Sequence, residues 1–128
     1  MGDGRLHDGF LPGRFPIDAY GNGGFRFADM SHRGSLLALP SGFHAWPVGS
    51  MAELTGEALD PIFAEGDALE LLLLGTGLDI AALPGAFRER FRSARIGLDV
   101  MQTGAAARTY NVLLAENRKV GAALIAVP

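Results

Sequence analysis

The second half of the chain alternates short apolar runs with segments of helical periodicity, which is the pattern of β-α-β units. Leu71–Leu74 is a continuous apolar run of strand length, typical of a strand buried on both faces. Arg95–Met101 and Val120–Val127 are the next strand candidates. Two helices are predicted between these runs, one beginning at Pro84 and one spanning Thr103–Glu116. Helical crossovers of this length favour parallel neighbouring strands with right-handed connections.

The first half instead predicts antiparallel hairpins. Tyr20–Gly24 contains Asn-Gly with further glycines, which supply the positive φ angles of a tight turn. Ser35–Leu39 and Phe43–Val48 are predicted strands on either side of the Pro40–Gly42 turn. A short helix is predicted within Ser50–Asp67, where Thr55 or Asp60 can cap it and Pro61 is tolerated only in its first turn. The whole pattern predicts an α/β fold with one mixed sheet, packed helices and N-terminal hairpins.

Bulk properties narrow the class of protein. A chain of 128 residues suits one domain, here residues 15–128, preceded by a Gly- and Pro-rich segment, 1–14, that predicts a flexible arm. The absence of cysteine excludes disulfides and thiolate chemistry. A net charge of −3 disfavours nucleic acid as a partner. No apolar run approaches the roughly 18–20 residues of a membrane span, and no signal peptide is evident. We expect a monomer or weak dimer in the cytoplasm, with a position peripheral to the inner membrane left open.

Helical geometry divides Thr103–Glu116 into two faces. The face opposite the core carries one formal charge, which is fewer than the exposed face of an ordinary solvated helix carries. We therefore expect it to be covered by another part of the chain or by a partner, with Arg108, Thr109 and Val112 as candidate contacts. The predicted core face comprises Thr103, Ala106, Ala107, Tyr110, Leu113 and Leu114, and the outer face Ala105, Arg108, Thr109, Val112 and Ala115.

Two glycine-containing turns follow two of the predicted strands. If those strands are parallel, both turns open at the same carboxyl edge, where ligands bind in open α/β sheets. Thr103 could cap its helix, or the helix N-terminus could hold an anion. A single glycine without GxxxxGK or GxGxxG is a weak nucleotide signature, and a closely packed crossover helix explains the turn equally well. The candidate ligand crevice comprises Gly75, Thr76, Gly77, Asp99, Thr103 and Gly104.

No catalytic or metal-binding pattern is evident in the sequence. His7, His32 and His44 share neither a helix nor a ligand spacing, so we expect no metal and no cofactor. Ser31 and His32 are adjacent, and adjacent residues of a strand face opposite sides. GxSxG, HExxH and paired-carboxylate motifs are absent from the sequence. These observations favour a binding protein over an enzyme, although they leave the question of activity open.

Several segments, taken in order, resemble one known family. They are "SHRGSLLALPSG", "WPV", "ELLLLGTG" and "DVMQTGAAARTYNVLLAE" followed by "VGAALIAV". The chain resembles domain-of-unknown-function family 498, the MTH-type domain, over about residues 15–127. The resemblance implies a three-layer fold around a mixed sheet, with no agreed catalytic residues. It also implies protein contacts, since a mitochondrial branch of the family assists assembly of respiratory complex I.

The resemblance also shows where this chain departs from its relatives. Members of the family often carry cysteine at the position of Ala107 and an acidic residue at the position of Gln102. A thiol or carboxylate reaction at this loop is therefore not expected here. The resemblance favours a small accessory factor that binds other proteins, with membrane-complex subunits as candidate partners. The alternative is a small-molecule or anion-binding protein, or a minor enzyme, with its site at the carboxyl edge of the sheet.

Overall fold

The structure, a computed structural model, describes residues 5–128. Within this range the chain forms two sheets and three α-helices, with short 3-10 turns between β7 and β8. The helices are α1 (Asp60–Phe63), α2 (Gly85–Ala94) and α3 (Thr103–Ala115). The strands are β1 (Arg5–Leu6), β2 (Phe10–Pro12), β3 (Ala19–Gly21), β4 (Gly24–Phe27), β5 (Met30–Arg33), β6 (Ser35–Leu39), β7 (Gly42–Trp46), β8 (Leu71–Gly75), β9 (Gly97–Met101) and β10 (Val120–Leu124).

The larger sheet has six strands in the order β2-β7-β6-β10-β8-β9. The β8 strand pairs in parallel with both β10 and β9, which confirms the parallel units predicted from the second half of the sequence. The β10 strand pairs antiparallel with β6, and this pairing joins the two halves of the chain. Alternate residues of β8 and β10 are buried in the cores on the two faces of the sheet, so both faces of these strands are covered and their sequences are almost continuously apolar.

The smaller sheet has the order β1-β5-β4-β3. Its antiparallel part, β3 to β5, contains the hairpin predicted at Tyr20–Gly24, where Asn22 has a φ of 53°. A second tight turn joins β4 to β5 through Ala28 and Asp29, whose φ angles of 50° and 59° fit a two-residue hairpin loop. The fold is therefore mixed α/β, as the sequence predicts, but with a separate small sheet.

The large sheet carries a hydrophobic core on each face. Leu72 and Leu74 of β8 pack with Phe91 of α2 on one side. On the other side, Leu73 packs with α3 and the small sheet. There Phe43 of β7 lies 4.3 Å from the Phe27 ring, in edge-to-face geometry. The small sheet thus belongs to the same layer as α3, which gives the three-layer arrangement.

The structure refines one prediction of local structure. A short helix is present within Ser50–Asp67, as predicted, but it comprises only the four residues Asp60–Phe63 and is flanked by 3-10 turns, because the glycines of the segment disfavour a longer helix. Pro61 does lie in the first turn, as predicted.

The predicted arm, 1–14, falls partly outside the described residues. Its described part adds β1 beside β5 and β2 beside β7. These pairings span long sequence separations, which local composition does not reveal.

Candidate functional site

Thr103 lies at the centre of the predicted ligand crevice. Its hydroxyl accepts a hydrogen bond from the Gly77 N–H at 2.9 Å and donates one to the Ile125 carbonyl at 2.7 Å. The side chain is fully buried. The sequence suggested Thr103 as the N-cap of α3, but Gln102 occupies that position and Thr103 is the first helical residue. Its hydroxyl therefore joins α3 to the ends of β8 and β10 instead of capping its own helix.

The β8 turn is held in the same way. The Thr76 N–H donates to the Met101 carbonyl at 2.9 Å, and the Thr76 hydroxyl donates to the Asp79 carbonyl at 2.7 Å. Gly75 has no room for a side chain, because a Cβ there would lie 2.8 Å from Thr103 Cα. The polar groups of this edge are thus already engaged with one another, and the candidate ligand crevice stays a prediction.

The remaining two members of the predicted crevice lie apart from this junction. Gly104 is covered by the Tyr20 ring, since a Cβ would lie 2.7 Å from Tyr20 Cζ. Asp99 is exposed on the outermost strand of the large sheet, where it lines a shallow cleft of about 420 Å³ with Arg88 and Ile80. The sequence places Asp99 near the carboxyl edge of the sheet. The direction of its side chain, however, depends on strand register.

The outer face of α3 combines fixed polar groups with exposed apolar surface. Arg108 donates to the Tyr20 hydroxyl at 3.0 Å, so β3 covers the first turns of the helix. Beside this face, Asn111 accepts a hydrogen bond from the Ile17 N–H at 2.8 Å and donates one to the Ile17 carbonyl at 2.7 Å. Val112 is 57% exposed. The predicted cover is thus partly supplied by the chain itself, and Val112 remains open to solvent.

This face borders a cleft of about 290 Å³ between β3 and α3. Ala107 and Arg108 line it from the helix, Tyr20 from β3, and Asp18 from the residue that precedes β3. Thr109, the next residue of α3, is half-buried. The sequence singled out Arg108, Thr109 and Val112 but missed Tyr20, which comes from a hairpin 88 residues away. No local signal in the sequence could have revealed that contact.

A buried imidazole pair is a second feature that sequence spacing concealed. His7 Nδ1 lies 2.9 Å from His32 Nδ1, and His32 Nε2 lies 2.8 Å from the Ser35 carbonyl. A carbonyl only accepts, so Nε2 of neutral His32 carries the hydrogen and its Nδ1 accepts from His7. His7 Nε2 then carries no hydrogen, and within residues 5–128 this buried atom has no hydrogen-bond partner. That range contains no group of three metal-ligating side chains.

The imidazole pair predicts a loss of stability in mild acid. Burial, then the neighbouring His32, lowers the pKa of His7 below its usual 6.5, and burial also lowers the pKa of His44. The unfolded chain therefore binds protons first as the pH falls through 6.5, and the free energy of unfolding should decrease from there down to the lowered pKa values. Urea titrations at about pH 5 to 8 would measure this. His7→Gln should show a shallower dependence, and an unchanged slope would contradict the assignment to His7.

The chain thus forms a mixed α/β domain. Its described clefts are open to solvent, and their polar groups are positioned by the two sheets and a crossover helix. The fold is Mth938-like. The chain belongs to the family described as "Protein of unknown function (DUF498/DUF598)", whose sequence model matches residues 17–125. The resemblance deduced from the sequence motifs is confirmed.

Similar proteins extend across bacteria and animals. A solved Bartonella henselae structure, described as an outer membrane protein, is 52% identical with a TM-score of 0.88, covering 91% of this chain and 98% of that one. An uncharacterised Rhodobacter capsulatus protein is 41% identical over 91% of this chain and 88% of its own length. Mouse NADH dehydrogenase [ubiquinone] 1 alpha subcomplex assembly factor 3 is 30% identical over 97% of this chain and 69% of its own length.

Between residues 5 and 128, none of the helices combines the length and apolar character needed to cross a membrane.

Proposed function

We propose that this protein is an accessory factor that binds other proteins and assists assembly of respiratory NADH dehydrogenase. The proposal is carried by the similarity to NADH dehydrogenase assembly factor 3 over 97% of this chain. The factor would act as a monomer or weak dimer in the cytoplasm, at the periphery of the inner membrane.

The outer face of α3 is the surface we assign to the partner. Exposed Val112 supplies apolar area, while Tyr20 and Arg108 are residue types enriched where proteins meet. Their hydrogen bond fixes both side chains before any partner binds, which reduces the entropy lost on association. The adjacent cleft of about 290 Å³ could accept one partner side chain. Arg108, Thr109 and Val112 are therefore the proposed contact residues.

An affinity pull-down from gently cross-linked native cells, membranes included, tests this proposal. We expect enrichment of NADH dehydrogenase subunits with the natural sequence. Val112→Glu should reduce that enrichment about tenfold or more, because a charge would be buried against apolar surface. Arg108→Glu should do the same by reversing the charge beside Tyr20.

Matched substitutions elsewhere separate loss of the contact from general effects of charge. Ile80→Glu is the control for Val112→Glu, since Ile80 is 66% exposed on the loop after β8. Arg92→Glu is the control for Arg108→Glu, since the Arg92 side chain is 77% exposed on α2. Both controls should retain the partner. Equal losses in all four variants, or no enrichment with the natural sequence, would contradict the proposal.

A further inference from the structure

The outer face of the small sheet forms an open cleft of about 580 Å³ that neither the sequence motifs nor the comparisons assign to a function. Its volume lies within the range of about 300–1,000 Å³ that small-molecule sites occupy. It is formed by the exposed side of β3, β4 and β5 and by the glycine-rich turn at 21–24. The opposite side of the same strands carries Phe25 and Phe27, which are buried in the core.

The shape of the cleft follows from small residues at paired positions. One row across the sheet is Gly21–Gly24–Arg33, and the next is Ala19–Arg26–Ser31. Only the two arginines in these rows carry long side chains. Gly24 is required, because a Cβ there would collide with the His32 carbonyl oxygen. The glycines therefore leave open space beside each guanidinium group.

The charge of the cleft is opposite to that of the protein. Arg26 and Arg33 line it and no Asp or Glu does, although the whole chain has a net charge of −3. Arg26 and Arg33 are diagonal neighbours on adjacent strands, a relation that places their backbones about 7–8 Å apart. Within residues 5–128 neither is close enough to a carboxylate for an ion pair, unlike Arg90 and Arg92.

The polar groups near the arginines are suited to an oxyanion. Arg26 donates to Ser31 Oγ at 2.8 Å, so the Ser31 hydroxyl hydrogen is left free to donate elsewhere. The same bond holds Arg26 across the sheet surface, leaving its other N–H groups for a ligand. Guanidinium groups bind carboxylate and phosphate through paired N–H donors, and Arg33 offers a second such group nearby.

We propose that this cleft binds a small organic anion carrying a phosphate or carboxylate group, held between Arg26 and Arg33. The site adjoins the proposed partner face on α3, because Tyr20 lines both clefts, but neither Arg26 nor Arg33 belongs to that face. Binding here does not depend on the assembly role, so either proposal can fail alone. The cleft is open enough to leave the rest of such a ligand in contact with the glycine turn.

Amide NMR titrations with inorganic pyrophosphate and with succinate test the site and its preference. For at least one probe we expect saturable shifts concentrated at Gly21, Gly23, Gly24, Ser31 and Arg33. Arg26→Gln and Arg33→Gln should each weaken binding about tenfold or more, since one charge-assisted contact is lost. Arg92→Gln, on α2, should leave the dissociation constant unchanged.

Three results would overturn the proposal. The first is shifts that rise linearly with either probe and never saturate. The second is shifts that are spread over the whole surface. The third is an equal loss of binding in Arg92→Gln, which would indicate general electrostatic attraction. Because Arg26 and Arg33 are both exposed, their variants should keep the folded amide spectrum, and each tests the site independently of the other.

Discussion

Replacing Thr103 with valine should lower the free energy of unfolding by about 2–4 kcal/mol, although the two side chains have nearly the same shape. The valine would leave the Gly77 N–H and the Ile125 carbonyl without their hydrogen-bond partner. Each buried group left unsatisfied costs about 1–3 kcal/mol. The site is fully buried, so water cannot replace the lost hydroxyl. Urea unfolding monitored by circular dichroism would measure the change.

Thr109→Val is the matched control, since it makes the same substitution on the same helix at a half-buried position. We expect a change within about 0.5 kcal/mol for this variant. A similar, small effect for both would show that the Thr103 hydroxyl contributes little to the junction. That result would favour a ligand crevice at the carboxyl edge, since the polar groups there would then be available to bind a ligand.

Phe43→Ala should have the largest effect, about 3–5 kcal/mol. Phe43 is fully buried and contacts parts of the chain from both halves of the fold. Its ring lies 4.3 Å from Phe27 of the small sheet and 6.4 Å from Tyr110 of α3. Removing it leaves a cavity where the small sheet, the large sheet and α3 meet. We expect lower stability together with faster amide exchange in β4 and β5.

Phe10→Ala provides the comparison for that variant. Phe10 is 49% exposed on the outermost strand β2, where it packs only on one side against His44. The cost should be near 1 kcal/mol, since half of its apolar surface already contacts water. Exchange that remains slow in β4 and β5 of Phe43→Ala would show that the small sheet is held by other contacts.

The sheet strands and crossover helices could be predicted because their signals are local. Leu71–Leu74 is continuously apolar, and the predicted core positions of α3 from Thr103 to Tyr110 are indeed buried. A strand buried on both faces leaves no polar positions, and a helix packed on one side repeats every 3.6 residues. The hairpin at Tyr20–Gly24 was also evident, because positive φ angles demand glycine or asparagine.

The candidate sites could not be predicted to the same degree. Thr103 and Gly77 were correctly placed together, since parallel strands end at one edge. The engagement of their polar groups with each other was not predictable, because it depends on distances of a few tenths of an ångström. Asp99 is exposed on β9, the last strand of the sheet, and sequence does not give strand order.

By itself, the sequence determined the elements, the mixed α/β class and the likeness to a family of shared fold. Apolar periodicity and turn chemistry act over a few residues, and they are therefore visible along the chain. Only the tertiary structure decided that His7 meets His32, that Tyr20 covers Gly104, and that Arg26 and Arg33 share an open cleft. Those arrangements arise from strand order and register, which are set by packing across the whole domain.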